Sequence, residues 1–145
     1  MRELLVSIAT AWGSKYGGID SFNYDICRAI AQMLPDKYSV VCIVEEGNDH
    51  DASDARRSQV NLLRVPRDPG ASSDEWPSRI VAEIQHSGLG RPIWWIGHDV
   101  KTGPSALRAR VLTPGTRAAV IAHMDYSSYL GYKHVGEENK RKRVI

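Results

Sequence analysis

Five short apolar runs recur along this chain, each too short for a helix of ordinary length: "LLVSIAT" at 4–10, "YSVVCIV" at 38–44, "VNLLRV" at 60–65, "PIWWIG" at 92–97 and "RAAVIAH" at 117–123. None alternates apolar with polar residues, as a strand with one wet face would. A continuous apolar, β-branched run is the mark of a strand covered on both faces. Segments of helical rhythm separate several of the runs. Strands and helices taken in turn ask for a mainly parallel sheet with helices on both faces, an α/β Rossmann-like architecture.

The intervening segments fill in the frame. Ile19, Phe22, Ile26, Ile30 and Met33 recur every three or four residues and predict one face of a helix that Pro35 ends. Residues 45–59, "EEGNDHDASDARRSQ", show no period and are crowded with turn formers, so a surface loop is expected. "PRDPGASS" reads as a second irregular loop. A helix is predicted from about 74 to 87, capped by Ser72 or Ser73, with Trp76, Ile80 and Ile84 in one stripe and Gly88 and Gly90 stopping it. Thr102 is positioned to cap another through "GPSALRARVL", with Pro104 in its first turn.

The 145 residues suit one domain, expected over 1–132, with 133–145 as a charged tail or the start of a connection onward. The net charge of +2 comes from 19 basic and 17 acidic residues, a balance that argues against a nucleic-acid partner and for at most peripheral membrane contact. No window approaches the ~18 apolar residues of a membrane span. A cytoplasmic protein is expected. Cys27 and Cys42 each lie in an apolar pattern and read as buried thiols. The five histidines have no metal-ligand spacing, so no metal is expected; no cofactor is expected either. Tyr126, Tyr129, Tyr132 and "KRKR" read more simply as the end of a helix or a linker than as an RNA-stacking surface.

In a parallel sheet ligands gather beyond the carboxyl ends of the strands, which singles out three loops. The first, "AWGSKYGG", is neither a Walker A element nor G-x-G-x-x-G. It holds Gly17 and Gly18 where a helix begins, so either the pair serves a tight turn, or bare backbone and unpaired N–H groups receive an anion there. Lys15 is a phosphate contact or a solvated loop lysine. The second loop, "IGHDVKTGP", offers His98, packed or functional, and Asp99, which either accepts a sugar hydroxyl or caps a turn. The third, "VIAHMDYSSYLGYK", offers His123 and Asp125. No nucleophile-elbow serine accompanies them, so a hydrolase triad is unsupported.

The order of these pieces resembles the N-terminal half of GT-B glycosyltransferases, particularly the retaining family 4 group. The resemblance rests on the strand followed by "GGIDSFNYDICRAIAQML" and on "WWIGHD" and "VIAHMD" closing later strands, and it covers about 4 to 132. It implies an acceptor-side Rossmann-like domain, a nucleotide-sugar donor and an acceptor of unknown kind, with catalysis in a cleft against a second domain. It implies that Gly17 and Gly18 lie against the donor diphosphate, that His123 lies at the reacting centre, and that His98 and Asp99 face the acceptor or the sugar; beside them Lys15 is the candidate phosphate contact and Asp125 a further candidate for the sugar or acceptor. The family's nucleotide-binding C-terminal domain, with its paired acidic residues, has no counterpart in these residues. A fragment without transferase activity is therefore expected.

Two rivals stand beside this reading. One is a non-catalytic Rossmann-like binding or sensory module, favoured if no second such domain accompanies the chain. The other is a stand-alone flavodoxin- or response-regulator-like domain, which "SIATAW", lacking any acidic residue, and "AWGSKYGG", a poor flavin phosphate loop, fit badly.

Overall fold

The apolar runs do pair side by side. A computed structural model of the chain describes residues 2–123, and in it β1 (Glu3–Ile8), β2 (Ser39–Val44), β3 (Val60–Arg64), β4 (Arg91–His98) and β5 (Arg117–Ile121) form one sheet in the order β3-β2-β1-β4-β5. Every pairing is parallel. Between the strands lie α1 (Gly18–Met33), α2 (Asp49–Arg57), α3 (Glu75–Ser87) and α4 (Asp99–Leu112), with a single 3-10 turn at Ser14–Tyr16. The strand order reverses between β1 and β4, which puts the switch point of the sheet at their carboxyl ends.

Alternate residues of each strand enter two separate cores, as the period of two requires. Leu4, Val6, Ile8, Val41, Ile43 and Trp95 pack under α3 and α4, meeting Trp76, Ile80, Ile84, Ala106 and Ala109. Val40, Cys42, Val44 and Val60 pack under α1 and α2 with Cys27, Ala31 and Ala55. Full burial of an aliphatic or aromatic side chain contributes about 1.5–3 kcal/mol, so the stripe of Trp76, Ile80 and Ile84 suffices to hold α3 down. Each large core indole also places its N–H: Trp76 donates to the Val65 carbonyl at 2.7 Å and Trp95 to the Thr113 hydroxyl at 2.9 Å. The two cysteines are free and buried. Among the described residues, no helix is long and apolar enough to cross a membrane.

Several local expectations need correction. The segment expected as a loop at 45–59 contains α2, whose start is a capping box: Asn48 Oδ1 accepts from the Asp51 N–H and Asp51 Oδ2 accepts from the Asn48 N–H. The helix buries only Asp51 and Ala55, too little to leave a hydrophobic period. In α1 the apolar stripe is not the buried face. Asp20, Asn23, Cys27 and Ala31 face the sheet, while Phe22 is 41% and Met33 76% exposed. The buried side is the one with short or hydrogen-bonding side chains, because α1 lies over polar groups at the end of β1.

The caps differ too. Asp74, not a serine, precedes α3, and it makes no side-chain cap. α4 starts at Asp99, directly after β4, because Asp99 takes φ 51 and turns the chain without a loop. Thr102 therefore sits inside α4, where its Oγ1 accepts from the His98 N–H at 2.8 Å. This tight junction depends on two glycines: a Cβ on Gly97 would stand 2.6 Å from the Gly103 Cα and 2.7 Å from the Thr102 carbonyl oxygen.

Candidate active site

The site builds from the carboxyl ends of the two strands at the switch point. β1 ends in Ser7 and Ile8, β4 in Gly97 and His98, and the parallel register sets Ser7 beside Ile96 and His98 beside Ile121 of β5. His123, two residues past the end of β5, thereby comes to stand over His98.

Four side chains, from β1, α1, β4 and the segment after β5, form one chain of hydrogen bonds. Ser7 Oγ donates to Asn23 Oδ1 at 2.6 Å, and His98 Nε2 lies 3.0 Å from the same oxygen and 3.1 Å from Ser7 Oγ. His98 Nδ1 faces His123 Nε2 at 2.8 Å. The Asn23 amide nitrogen donates to Cys42 Sγ at 3.3 Å, and the Cys27 thiol donates to Asn23 Oδ1 at 3.5 Å. Ser7, Asn23 and His98 are buried. His123 is half-buried, with Phe22 edge-on to its ring at 4.7 Å between centroids. Its own N–H donates to Asp99 Oδ2 at 3.1 Å.

Burial sets the charges of this cluster. Desolvation, with the charge of His123 second and Asp99 opposing, lowers the His98 pKa from the ordinary 6.5 to about 4. His98 is thus neutral at physiological pH. The Cys27 thiol is pushed up by its hydrogen bond with Cys42 and by burial, so it stays protonated. Among the described residues, no group of three or more histidines, cysteines and carboxylates is placed to hold a metal ion.

The glycine loop lies beside this cluster and is built differently. Its two ends are tied by Asp20, whose carboxylate accepts from the Thr10 hydroxyl at 2.9 and 3.1 Å. Its middle is tied by the buried Trp12, which donates from Nε1 to Asp54 of α2 at 3.0 Å and holds that carboxyl below its usual range. Gly17 has φ 101 and ψ −171, a conformation essentially reserved to glycine. Gly18 has no such constraint, yet a Cβ on either would meet nothing within 4 Å. No side chain caps α1, so the first N–H groups of the helix look outward at this point. Lys15 is exposed on the 3-10 turn, by a shallow cavity of about 220 Å³ that Trp12, Gly13, Tyr24 and Asp54 also line.

The structure thus brings His98, Asp99 and His123 into direct contact and places Gly17, Gly18 and Lys15 on the neighbouring loop at the same edge of the sheet. Asp125 and the tyrosines after it lie outside the described residues. Ser7, Thr10, Asp20 and Asn23 were not expected from the sequence. The one available signal was the polar face of α1, Asp20 and Asn23 at helical spacing with Cys27. A larger recess, about 380 Å³, opens near Arg67, Trp76, Arg79 and Lys101. Arg67 there stacks 4.1 Å from the Trp76 ring centroid and Arg79 binds the Pro66 carbonyl, so these cations hold their own loop in place.

A parallel sheet with an uncapped helix and exposed glycines beside a histidine pair at its switch point is an arrangement suited to a phosphate-bearing ligand. Comparison with known proteins names the lineage. No curated protein matches the chain. A family model, "Family 4 Glycosyltransferase in conflict systems", matches residues 6–144, nearly the whole chain, from within β1 through the last strand described above. The chain therefore belongs to the family 4 glycosyltransferases of conflict systems.

Proposed function

We propose that this domain is the acceptor-side half of a cytoplasmic enzyme that moves a sugar from a nucleotide-sugar donor to an acceptor, with a second Rossmann-like domain supplying the other wall of the cleft. The observation that carries the reading is Gly18. Its backbone would accommodate any residue, so the chain's own geometry does not call for a glycine there, whereas a diphosphate approaching the N–H groups of α1 does. Gly17 and Gly18 then cradle the diphosphate, and Lys15 adds positive charge to the same rim. Charge that builds on the leaving diphosphate is stabilised by these N–H groups and by the helix dipole rather than by a covalent nucleophile.

In this reading His123 is the group nearest the transferred sugar, and Asp125 is a candidate contact for the sugar or the acceptor. Asp99 contributes by fixing the His123 backbone, and His98, fully buried, supports His123 from beneath instead of touching the ligand. The domain alone has one wall of the cleft, so weak donor binding and no turnover are expected of it.

Amide NMR on the 145-residue chain titrated with UDP-glucose and, separately, GDP-mannose tests this. Shifts at Gly17 to Ser21 that saturate with one of the two donors are expected, and Gly18→Val should abolish them with the fold intact. If neither donor moves those amides, or if Gly18→Val binds as well as the unaltered chain, the diphosphate assignment is lost.

A further inference from the structure

The contacts of Asn23 constrain where the protons of the two histidines sit. An amide oxygen can only accept, and Asn23 Oδ1 already receives the Ser7 hydroxyl. His98 Nε2 is 3.0 Å from that oxygen, so a favourable contact requires His98 to carry its proton on Nε2. With Ser7 donating to Asn23, the Ser7 oxygen is free to accept from the same N–H at 3.1 Å. A neutral imidazole has one N–H and one lone pair, so His98 Nδ1 is an acceptor. The atom 2.8 Å from it, His123 Nε2, must then be the donor.

We propose that Asn23 and His98 are positioning residues that hold a proton on His123 Nε2 and leave its Nδ1 as the nitrogen able to exchange a proton or hydrogen bond with a ligand. The proposal rests on the reading of His123 as the sugar-side group, and it adds to that reading which nitrogen does the work. Burial supports the device, because a His98 that stays neutral can accept from His123 whether or not His123 is itself charged. Among the described residues, the other ionisable groups near His98 are Asp99 at the start of α4, Cys27 on α1 and Cys42 on β2. The Cys27 thiol stays protonated, Cys42 Sγ accepts from the Asn23 amide nitrogen, and Asp99 meets His123 through its backbone N–H rather than its ring.

The orientation of Asn23 therefore governs the set. Were its nitrogen to face His98, every donor and acceptor along the line would exchange. Long-range proton–nitrogen NMR on the 145-residue chain labelled at its histidines, without any sugar nucleotide, reads the ring protons directly. At pH 8 the expected result is a proton on Nε2 of both His98 and His123. A proton on Nδ1 of His98, or on Nδ1 of His123, overturns the proposal and leaves the donor-binding proposal standing. Conversely, the expected ring protons without binding of UDP-glucose or GDP-mannose would leave the relay intact and remove the function.

Asn23→Asp gives a second reading. The introduced carboxylate keeps the acceptor and adds a charge, which should raise the proton affinity of His98 on the order of 100-fold, a shift of about two pH units. Below the new midpoint His98 Nδ1 becomes a donor, and His123 should move its proton to Nδ1. A variant in which the His98 midpoint rises while His123 keeps its Nε2 proton would show that the two rings are not linked. If the variant does not fold, the ring protons of the unaltered chain still decide the matter.

Discussion

At the carboxyl edge of the sheet two neighbouring regions differ in what determines them. Around Ser7, Asn23, His98 and His123, each side chain is fixed by its partners on other elements, and the buried polar atoms answer one another. In the loop from Gly13 to Gly18, position is fixed by backbone dihedrals and by two distant ties, Thr10 to Asp20 and Trp12 to Asp54. A region of the first kind responds to any change in volume or charge. The second kind has open space for added atoms, because a Cβ on Gly13, Gly17 or Gly18 would meet nothing within 4 Å, and only the backbone dihedrals of Gly13 and Gly17 resist a side chain. The division suits a site in which one part must hold a reacting group still and the other must receive a ligand.

The largest test of this contrast is steric. Gly97→Ala puts a methyl against the backbone of Gly103 and Thr102, which cannot turn aside as a side chain would. About 4 kcal/mol of stability should be lost, near the upper end for one substitution, with the midpoint of urea unfolding falling accordingly. A loss below about 1 kcal/mol would mean that β4 and α4 separate easily and that the closed region is not closed.

Next in size is the effect of pH. His98 has a folded pKa of about 4 against an ordinary 6.5, so between these values the unfolded chain binds a proton that the folded chain does not. Stability from this group is complete above about 6.5, falls as pH drops, and is lost near 4, a total of about 3 kcal/mol. Urea unfolding at pH 7 and pH 4 measures it. His98→Gln removes the titrating ring, so the variant should lose about 3 kcal/mol less than the unaltered chain over the same interval. Equal losses in both would show that His98 is accessible to protons in the folded state.

The sheet was legible in the sequence because parallel strands covered on both faces must be apolar along their length, and "YSVVCIV" is readable for that reason alone. The polar cluster was legible only in part. His98 and His123 each stand out as histidines closing a strand, and the pairing of β4 with β5 brings together residues 25 apart. Asn23 was hidden because its partners, Ser7 and His98, are 16 and 75 residues away, and periodicity says nothing about such distances. The apolar stripe of α1 misled for a related reason: the face over the ends of the strands is chosen by hydrogen bonding, and Phe22 was displaced to the flank, where it meets His123. α2 was missed since a helix that buries one alanine and one aspartate leaves its trace in the cap, at Asn48 and Asp51, and not in its apolar pattern.

The smallest expected effect separates the two glycines that the sequence presents as a pair. At φ 101 and ψ −171 an L side chain is strained, so Gly17→Ala should cost about 2 kcal/mol although nothing obstructs the new methyl. Gly18 opens α1 with ordinary dihedrals and open space, so Gly18→Ala restricts the unfolded chain and should stabilise by about 0.5 kcal/mol. Urea unfolding of the two variants side by side reads the difference, about 2.5 kcal/mol in the expected sense. The value lies in the sign at Gly18. If alanine stabilises the chain there, folding does not account for the glycine, and a demand from outside the fold has to. If alanine destabilises it as much as at Gly17, the pair serves the turn alone, and the glycine loop loses its claim to a ligand.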